Sequence, residues 1–391
     1  MSNAPNPVTR LRCFVAAMGW HDRASDVGLP SVAVIEPDQI TKPRTRNLSS
    51  LTGMRWWAAM FVFGLHSSTY IYGHSTGATD SVVWRGFKTM MAGGSGGVGV
   101  FFVLSGFVLV WASRPNDRPR DLWWRRAARI YPIHLATAIL AFVMALTFVP
   151  TLDAHNPAAN IANFLLVSAW RQQWWQVLDP ASWSLVCEAF FYALFPLLLL
   201  ILNRQSVNVL RVIGVFTVVV SLLWTVISEL PGVSIYVYSF PPARLPEFVV
   251  GMVVGLLVVR GKWVGPGPIL SCVFWVIAYA IGCVITDKLV PSALILVPNA
   301  LVIATLAKAD LAGHSIMHRR LITRLGELSY AFYLTQLLVI HAFNAIATQL
   351  MPNAAPPGIV ALPGIFALSL GLAWLLNVTI ERPARAWMLG H

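Results

Sequence analysis

The sequence predicts an all-α polytopic membrane protein of about ten transmembrane helices with both termini cytoplasmic, and three observations carry that prediction. Of the 391 residues, 57% are hydrophobic and only 11% are charged. Soluble domains run at roughly 45–50% apolar and ~25% charged, so this chain has too few charges to coat them; a mean hydropathy of +0.67 agrees. Apolar segments recur at about the ~20 residues that bridge a hydrocarbon core. Lys and Arg alternate between crowded and sparse connections, the pattern that sets orientation in a bilayer.

Taken in chain order, residues 1–49 mix Pro, Asn, Asp and Arg and read as a mobile cytoplasmic tail. Its one apolar stretch, Cys13 to Trp20, is followed by His21, Asp22 and Arg23 and lacks the h-region and cleavage site of a secretory signal. The membrane domain runs over 50–385 and leaves 386–391 as a short tail. Its apolar segments are 51–72, 94–112, 127–149, 183–202, 210–229, 245–260, 268–285, 291–307, 325–349 and 359–379, of which the sixth and eighth are short. Ile161 to Trp170 is too short to span and reads as interfacial. Trp pairs at 56/57, 123/124 and 174/175 sit near segment ends, where amphipathic rings favour the headgroup level.

With the N-terminus inside, 22 of the 28 Lys and Arg residues fall in cytoplasmic segments and five in outer ones, Arg55 belonging to the first helix. One helix more or fewer in the middle would scramble this alternation. The net charge of +12 thus reads as topology, and no nucleic-acid partner is expected. Cys13, Cys187, Cys272 and Cys283 form no CxxC pair, and His314 and His318 have no acidic neighbour, so neither redox nor metal chemistry is expected. No internal repeat is visible.

Ionisable groups inside a membrane are costly and therefore functional candidates. Arg55 and His66 lie 11 residues apart in the first helix, about three turns or ~16 Å on nearly one face. Arg55 falls near the cytoplasmic entrance and His66 deeper, towards the outer half. Each also has a plainer reading, a snorkelling anchor and a packing hydrogen bond. Glu188 falls about one turn inside the outer edge of its helix, with Ser184 and Tyr192 four residues either side on the same face. It needs a partner, which an imidazole or an arginine would supply. Arg244 and Glu247 read as a structural i,i+3 ion pair. The glycine-dense block at 93–107 precedes an apolar helix without the GK[ST] of a phosphate loop, and reads as a close helix contact or re-entrant bend. Ser105 lacks the spacing of a nucleophile elbow. Among the arginines of 113–129, Arg125, Arg126 and Arg129 read either as a lipid-facing cluster or as a grip on a phosphate-bearing ligand.

Together these segments resemble the integral-membrane acyltransferase family 3. The matching motifs arrive in order: Arg55 to His66, GVGVFFVLSGF at 97–107, RRAARIYP at 125–132, SWSLVCEAFFYALFP at 182–196, RLPEFVVGM at 244–252, LGELSYAFYL at 325–334 and ERP at 381–383. Gln336 stands where that family usually has a histidine, and Gly99 where a polar residue is common. The resemblance implies transfer of an acyl group, most commonly acetyl, from cytoplasmic acyl-coenzyme A to a hydroxyl of a carbohydrate, lipid-linked sugar or secreted small molecule. It implies a cell-membrane location, with acyl-CoA as co-substrate and no permanently bound cofactor. In this reading His66 is the base or an acyl relay, and Arg55 holds the coenzyme's charge or the oxyanion. Glu188 orients His66 or binds the acceptor, with Ser184 and Tyr192 beside it, and Arg125, Arg126 and Arg129 grip phosphates. A carrier or flippase for an anionic or sugar-lipid substrate is the alternative.

Overall fold

Lipid tails are as apolar as leucine, so helices in a membrane associate through close backbone contact, small residues and interhelical hydrogen bonds. The computed structural model describes residues 48–390 apart from 72–81, 115–116, 229, 231–237, 286–288, 315–316, 318 and 352–357. The expected tail therefore lies outside the described residues up to position 47, as do His318 and part of the outer loop at 73–93.

All regular structure among the described residues is helical. Helix α1 (Ser49–Tyr70) is followed by α2 (Val82–Met91), which passes through a 3-10 turn, Ala92–Ser95, into α3 (Gly96–Ala112). Next come α4 (Pro119–Thr147), the short α5 (Pro157–Phe164), α6 (Trp183–Asn203), α7 (Val207–Ser228) and α8 (Pro241–Val259). Helices α9 (Pro268–Val284), α10 (Leu289–Leu294), α11 (Leu296–Leu311), α12 (Arg320–Leu350) and α13 (Gly358–Leu376) complete the bundle. A π turn, Asn377–Glu381, then leads into α14 (Arg382–Leu389).

Every expected apolar segment coincides with a helix, and 7 helical runs are long and apolar enough to cross a membrane. Those runs contain α3, α4, α6, α7, α8, α12 and α13. The other three segments fall short of that measure. Helix α1 has 22 residues but carries Arg55, His66 and several serines, while α9 has 17 residues and α11 has 16. Large apolar side chains point outward, among them Phe216 on α7 at 66% exposed and Ile269 on α9 at 81%. Water would not tolerate such a surface, and lipid covers it. The chain is a multi-pass membrane protein.

Glycines set the spacing of the central helices. A Cβ at Gly94 would fall on the Phe61 carbonyl of α1, and one at Gly97 would lie 2.6 Å from the Ala58 carbonyl. Between α3 and α8, a Cβ at Gly106 would meet the Phe248 carbonyl and one at Gly251 the Val103 carbonyl. Gly326 of α12 meets the Thr52 carbonyl of α1 in the same way. The glycine-dense block is thus a close helix contact, and it continues as a helix. At the start of α1, Asp310 of α11 accepts the Ser50 amide at 2.9 Å and the Ser50 hydroxyl at 2.6 Å, capping a helix end whose N-cap residue, Leu48, makes no side-chain cap.

The stretch 150–182 buries a set of polar side chains and exposes several large apolar ones. Asn160, Asn163, Ser168, Asp179 and Ser182 are buried, whereas Ile161, Leu165, Val167 and Trp170 are exposed. Asn163 Nδ2 donates to the Val177 carbonyl and to Ser182 Oγ, both at 2.8 Å, and its own carbonyl accepts from His134 Nε2 at 2.9 Å. Ser182 Oγ donates to the Asp179 carbonyl at 2.7 Å, and Asp179 Oδ1 accepts from the Ala181 amide at 3.0 Å. These bonded polar groups are folded onto the bundle beside buried Leu152, Leu166 and Leu178, while Ile161, Leu165, Val167 and Trp170 face outward. Helix α6 consequently begins inside the protein, with Trp183 only 5% exposed.

Two predictions follow from this packing. Gly251→Val places side-chain carbon on the Val103 carbonyl and is expected to remove most folded protein in detergent size-exclusion assays. Gly371→Ala, where nothing lies within 4 Å, is expected to be neutral or slightly stabilising. The second concerns Asp179, which burial pushes up from 3.8 to about 7. Between about pH 4 and pH 7 the folded state keeps a proton that the unfolded state releases, so this contribution to stability is full at low pH and is lost as pH rises towards 7. Asp179→Asn should flatten the fall in thermal midpoint across that window, an effect on the order of a few kcal/mol.

Candidate active site

Arginine is rarely buried without a countercharge or an anionic ligand. Three arginines converge inside this bundle. Trp123, in the first turns of α4, donates from Nε1 to the Tyr192 carbonyl of α6 at 3.0 Å. That bond pins the start of α4 across the middle of α6. Arg126 and Arg129 follow Trp123 at three-residue steps, a spacing that keeps them on the side facing α6. One turn before Tyr192 stands Glu188, whose carboxylate interacts electrostatically with Arg55, Arg129 and Arg126.

The sequence set Arg55 and Glu188 in opposite halves of the membrane, and the structure corrects this. Helix position does not equal membrane depth here, because α6 starts beneath the 150–182 segment and Glu188, half-buried, lies within the bundle. The hydrogen-bond donor that the structure gives Glu188 is a phenol: Tyr192 Oη donates to Glu188 Oε2 at 2.8 Å, and Ser105 Oγ of α3 donates to Tyr192 Oη at 3.1 Å. Ser105, set aside as a nucleophile, therefore belongs to the polar network. Ser184 shares the helix face, but its hydroxyl donates to the Ala181 carbonyl at 3.2 Å and also meets Tyr333 of α12.

Two further groups join from the C-terminal end. The π turn brings Glu381 into electrostatic reach of Arg55, and Asn377 Nδ2 donates to Glu381 Oε2 at 2.8 Å. Both residues are buried. Tyr330 of α12 donates to the Ile130 carbonyl at 2.6 Å beside the same charges. Glu381 was visible in the sequence only as part of the ERP motif; an acidic residue closing an apolar helix was its one signal. The cluster thus holds three guanidinium groups against two carboxylates.

Arg125 does not join them. It pairs with Asp117 at 2.8 Å in the connection before α4, and its side chain is 37% exposed. The trio read from sequence is therefore divided, because one residue along a helix turns the side chain by about 100°. The Nε of Arg126 is buried and has no protein acceptor among the described residues.

His66 lies about three turns along α1 from Arg55, at the opposite end of the helix, ~16 Å away by helical rise. Its ring meets Tyr70 edge-on at 6.1 Å, and Tyr70 in turn meets His341 of α12 at 5.8 Å. Asn344 Nδ2 donates to the Tyr70 carbonyl at 2.7 Å, and Thr151 Oγ1 lies 3.3 Å from His341 Nδ1.

A separate buried pair behaves as a structural tie. Arg244 and Glu247 lie 3.0 Å apart, both almost fully buried, with the guanidinium set against Phe102, Trp183 and Tyr238 at 5.4, 5.9 and 5.9 Å. Gly99 faces this pair: a Cβ there would stand 3.6 Å from Glu247 Oε1 and 3.4 Å from the Asn299 amide nitrogen. Asn299 also accepts from Trp275 Nε1 at 2.8 Å. Among the described residues no group of three or more His, Cys, Asp or Glu side chains is placed to hold a metal ion.

Comparison with known proteins gives a consistent picture. The family described as an acyltransferase domain matches residues 48–378. The acyltransferase MdmB of Streptomyces mycarofaciens is 32% identical over 363 residues, 87% of this chain and 92% of that protein. The peptidoglycan O-acetyltransferase OatA of Listeria monocytogenes is 26% identical over 162 residues, 36% of this chain and 25% of that protein. The O-acetyltransferase OatA of Staphylococcus aureus is 27% identical over 188 residues, 43% of this chain and 30% of that protein. No solved structure matches the chain.

The Arg244–Glu247 pair yields a stability test. Arg244→Ala strands a carboxylate in the core and is expected to cost about 3–5 kcal/mol. The double replacement Arg244→Met with Glu247→Leu should recover most of that loss in detergent melting, because it removes both charges together.

Proposed function

The chain belongs to the membrane acyltransferase-domain family and is an acyltransferase, and from that membership we propose that it moves an acetyl group from cytoplasmic acyl-coenzyme A to a hydroxyl acceptor. The acceptor is a carbohydrate, a lipid-linked sugar or a secreted small molecule. The carrying observation is the half-buried cluster of Arg55, Arg126 and Arg129, which exceeds its carboxylates by one positive charge. Guanidinium forks match phosphate oxygens in pairs, and coenzyme A is rich in phosphate. Relatives named as O-acetyltransferases support the acetyl group and the oxygen acceptor.

The proposed topology is ten spans, with α1, α9 and α11 crossing in addition to the seven long apolar runs, and with both termini in the cytoplasm. Counting Lys and Arg in the connections supports it. The membrane is then the cytoplasmic membrane, and the arginine cluster lies towards the side from which the donor comes. His66 lies towards the outer half.

In this reading Arg126 and Arg129 hold coenzyme phosphates, while Arg55 holds the donor where it enters the bundle. The ~16 Å between Arg55 and His66 favours that role over stabilising the oxyanion. Glu188, fixed by Tyr192 and Ser105, keeps the guanidiniums in place, and its arginine surroundings favour this over orienting His66. Ser184 lies on the way from the arginines to His66. A neutral hydroxyl is a poor nucleophile, and imidazole is a base suited to neutral pH. His66 takes the acceptor's proton as its oxygen attacks the thioester carbonyl. The tetrahedral adduct then collapses, the C–S bond breaks, and the departing thiolate recovers the proton from the imidazolium.

The experiment uses purified protein in nanodiscs with radiolabelled acetyl-CoA and a panel of acceptors. His66→Ala at normal expression should lower transfer by about 10²–10⁴-fold. Arg126→Ala and Arg129→Ala should raise the donor KM more than they lower kcat, and Arg125→Ala should stay near wild type. Full transfer by His66→Ala would remove the assigned base. Movement of unmodified substrate across a vesicle without acylation would favour a carrier instead.

A further inference from the structure

Helix α12 runs beside α1 in the same direction. Gly326 lies against Thr52, Phe332 against Trp56 and Phe63, and His341 and Asn344 against Tyr70. Gln336 therefore stands at a height between Phe63 and Tyr70, within the interval that separates the arginine cluster from the His66 end. Its side chain is fully buried, at 0% exposed, and neither Oε1 nor Nε2 has a hydrogen-bond partner among the described residues.

A primary amide offers an acceptor oxygen and two N–H donors, and buried amides are almost always paired. Other polar residues of α12 find protein partners. Thr335 Oγ1 reaches the Ala331 carbonyl at 3.0 Å, Ser329 Oγ donates to the Gly326 carbonyl at 2.7 Å, and Tyr333, one turn before Gln336, meets Ser184. Gln336 alone in this run keeps both ends of its side chain unmatched by protein.

We propose that Gln336 is a binding subsite for a secondary amide of the acyl donor's pantetheine arm. Each such amide presents one N–H and one carbonyl, the complement of the Gln336 pair. The arm bears its amides between the phosphates and the thioester, as Gln336 stands between the arginines and His66. This assignment rests on the acyl-CoA reading and names which part of the donor meets which side chain.

The test compares wild type with Gln336→Leu, which keeps approximate volume and removes both polar ends. Two measurements are made in nanodiscs: transfer from acetyl-CoA, S-acetyl-N-acetylcysteamine and the amide-free S-ethyl thioacetate, and equilibrium binding of coenzyme A. Gln336→Leu should fold at least as well as wild type and lose about tenfold in kcat/KM with both amide-bearing donors, mostly through KM. It should bind coenzyme A about tenfold more weakly and leave transfer from S-ethyl thioacetate unchanged. Equal losses with all three donors, or coenzyme A binding as tight as in wild type, would overturn the subsite while leaving the acyl-CoA reading intact. Failure of wild type to use or bind any coenzyme A donor would overturn both. A marked loss of thermal stability in Gln336→Leu would show the amide to be a packing element instead.

Discussion

The arrangement of this protein depends on backbone lying against backbone. Where α1 meets α3, α3 meets α8 and α12 meets α1, a glycine faces a carbonyl too close to admit another atom. In lipid no hydrophobic driving force pulls helices together, so such contacts, with their dispersion attraction, set the distances between them. Helices at contact distance have few alternative registers. That stiffness makes a half-buried charge cluster tenable: guanidiniums held by fixed helices stay where their carboxylates can meet them.

Two ionic groups within the bundle, one buried and one half-buried, show what different surroundings make of the same chemistry. Arg244 and Glu247 neutralise each other within one turn of α8 and are walled by aromatic rings. An ion pair of this kind contributes little net stability, yet losing one half of it is costly. The cluster around Arg55 draws on α1, α4, α6 and the π turn, and its charges do not cancel. The first arrangement is complete in itself, whereas the second keeps three guanidiniums against two carboxylates.

Much of this was legible from sequence, and the exceptions have physical reasons. All ten apolar segments are helical, 291–307 being divided between α10 and α11, and Arg55, His66 and Glu188 stand out because charge and lipid are incompatible. Sequence could not show that Glu188 and Arg55 share an electrostatic neighbourhood, since that depends on a segment that turns Asn160 and Asn163 inward while leaving Ile161 and Leu165 outward. Nor does the pattern tell Arg125 from Arg126: neighbours in sequence part company on a helix, one to Asp117 and one to the interior. The spacing around Ser105 says nothing of its place, which is decided by a phenol from another helix. Glu381 was hidden by a departure from regular helical periodicity.

That departure has a mechanical meaning for the chain's end. An α-helix carried straight through 377–381 would commit everything beyond it to the angular phase of α13. The wider turn resets the phase, so α13 keeps buried Ile365, Ser369 and Ala373 while the last two turns of the chain are aimed independently. Those turns end where the Met388 carbonyl accepts the Trp124 indole N–H at 2.7 Å, immediately before Arg125 and Arg126. The C-terminus is therefore a splint across the base of α4. The turns at 382–389 and the π turn before them thus brace the start of the helix that carries Arg126 and Arg129.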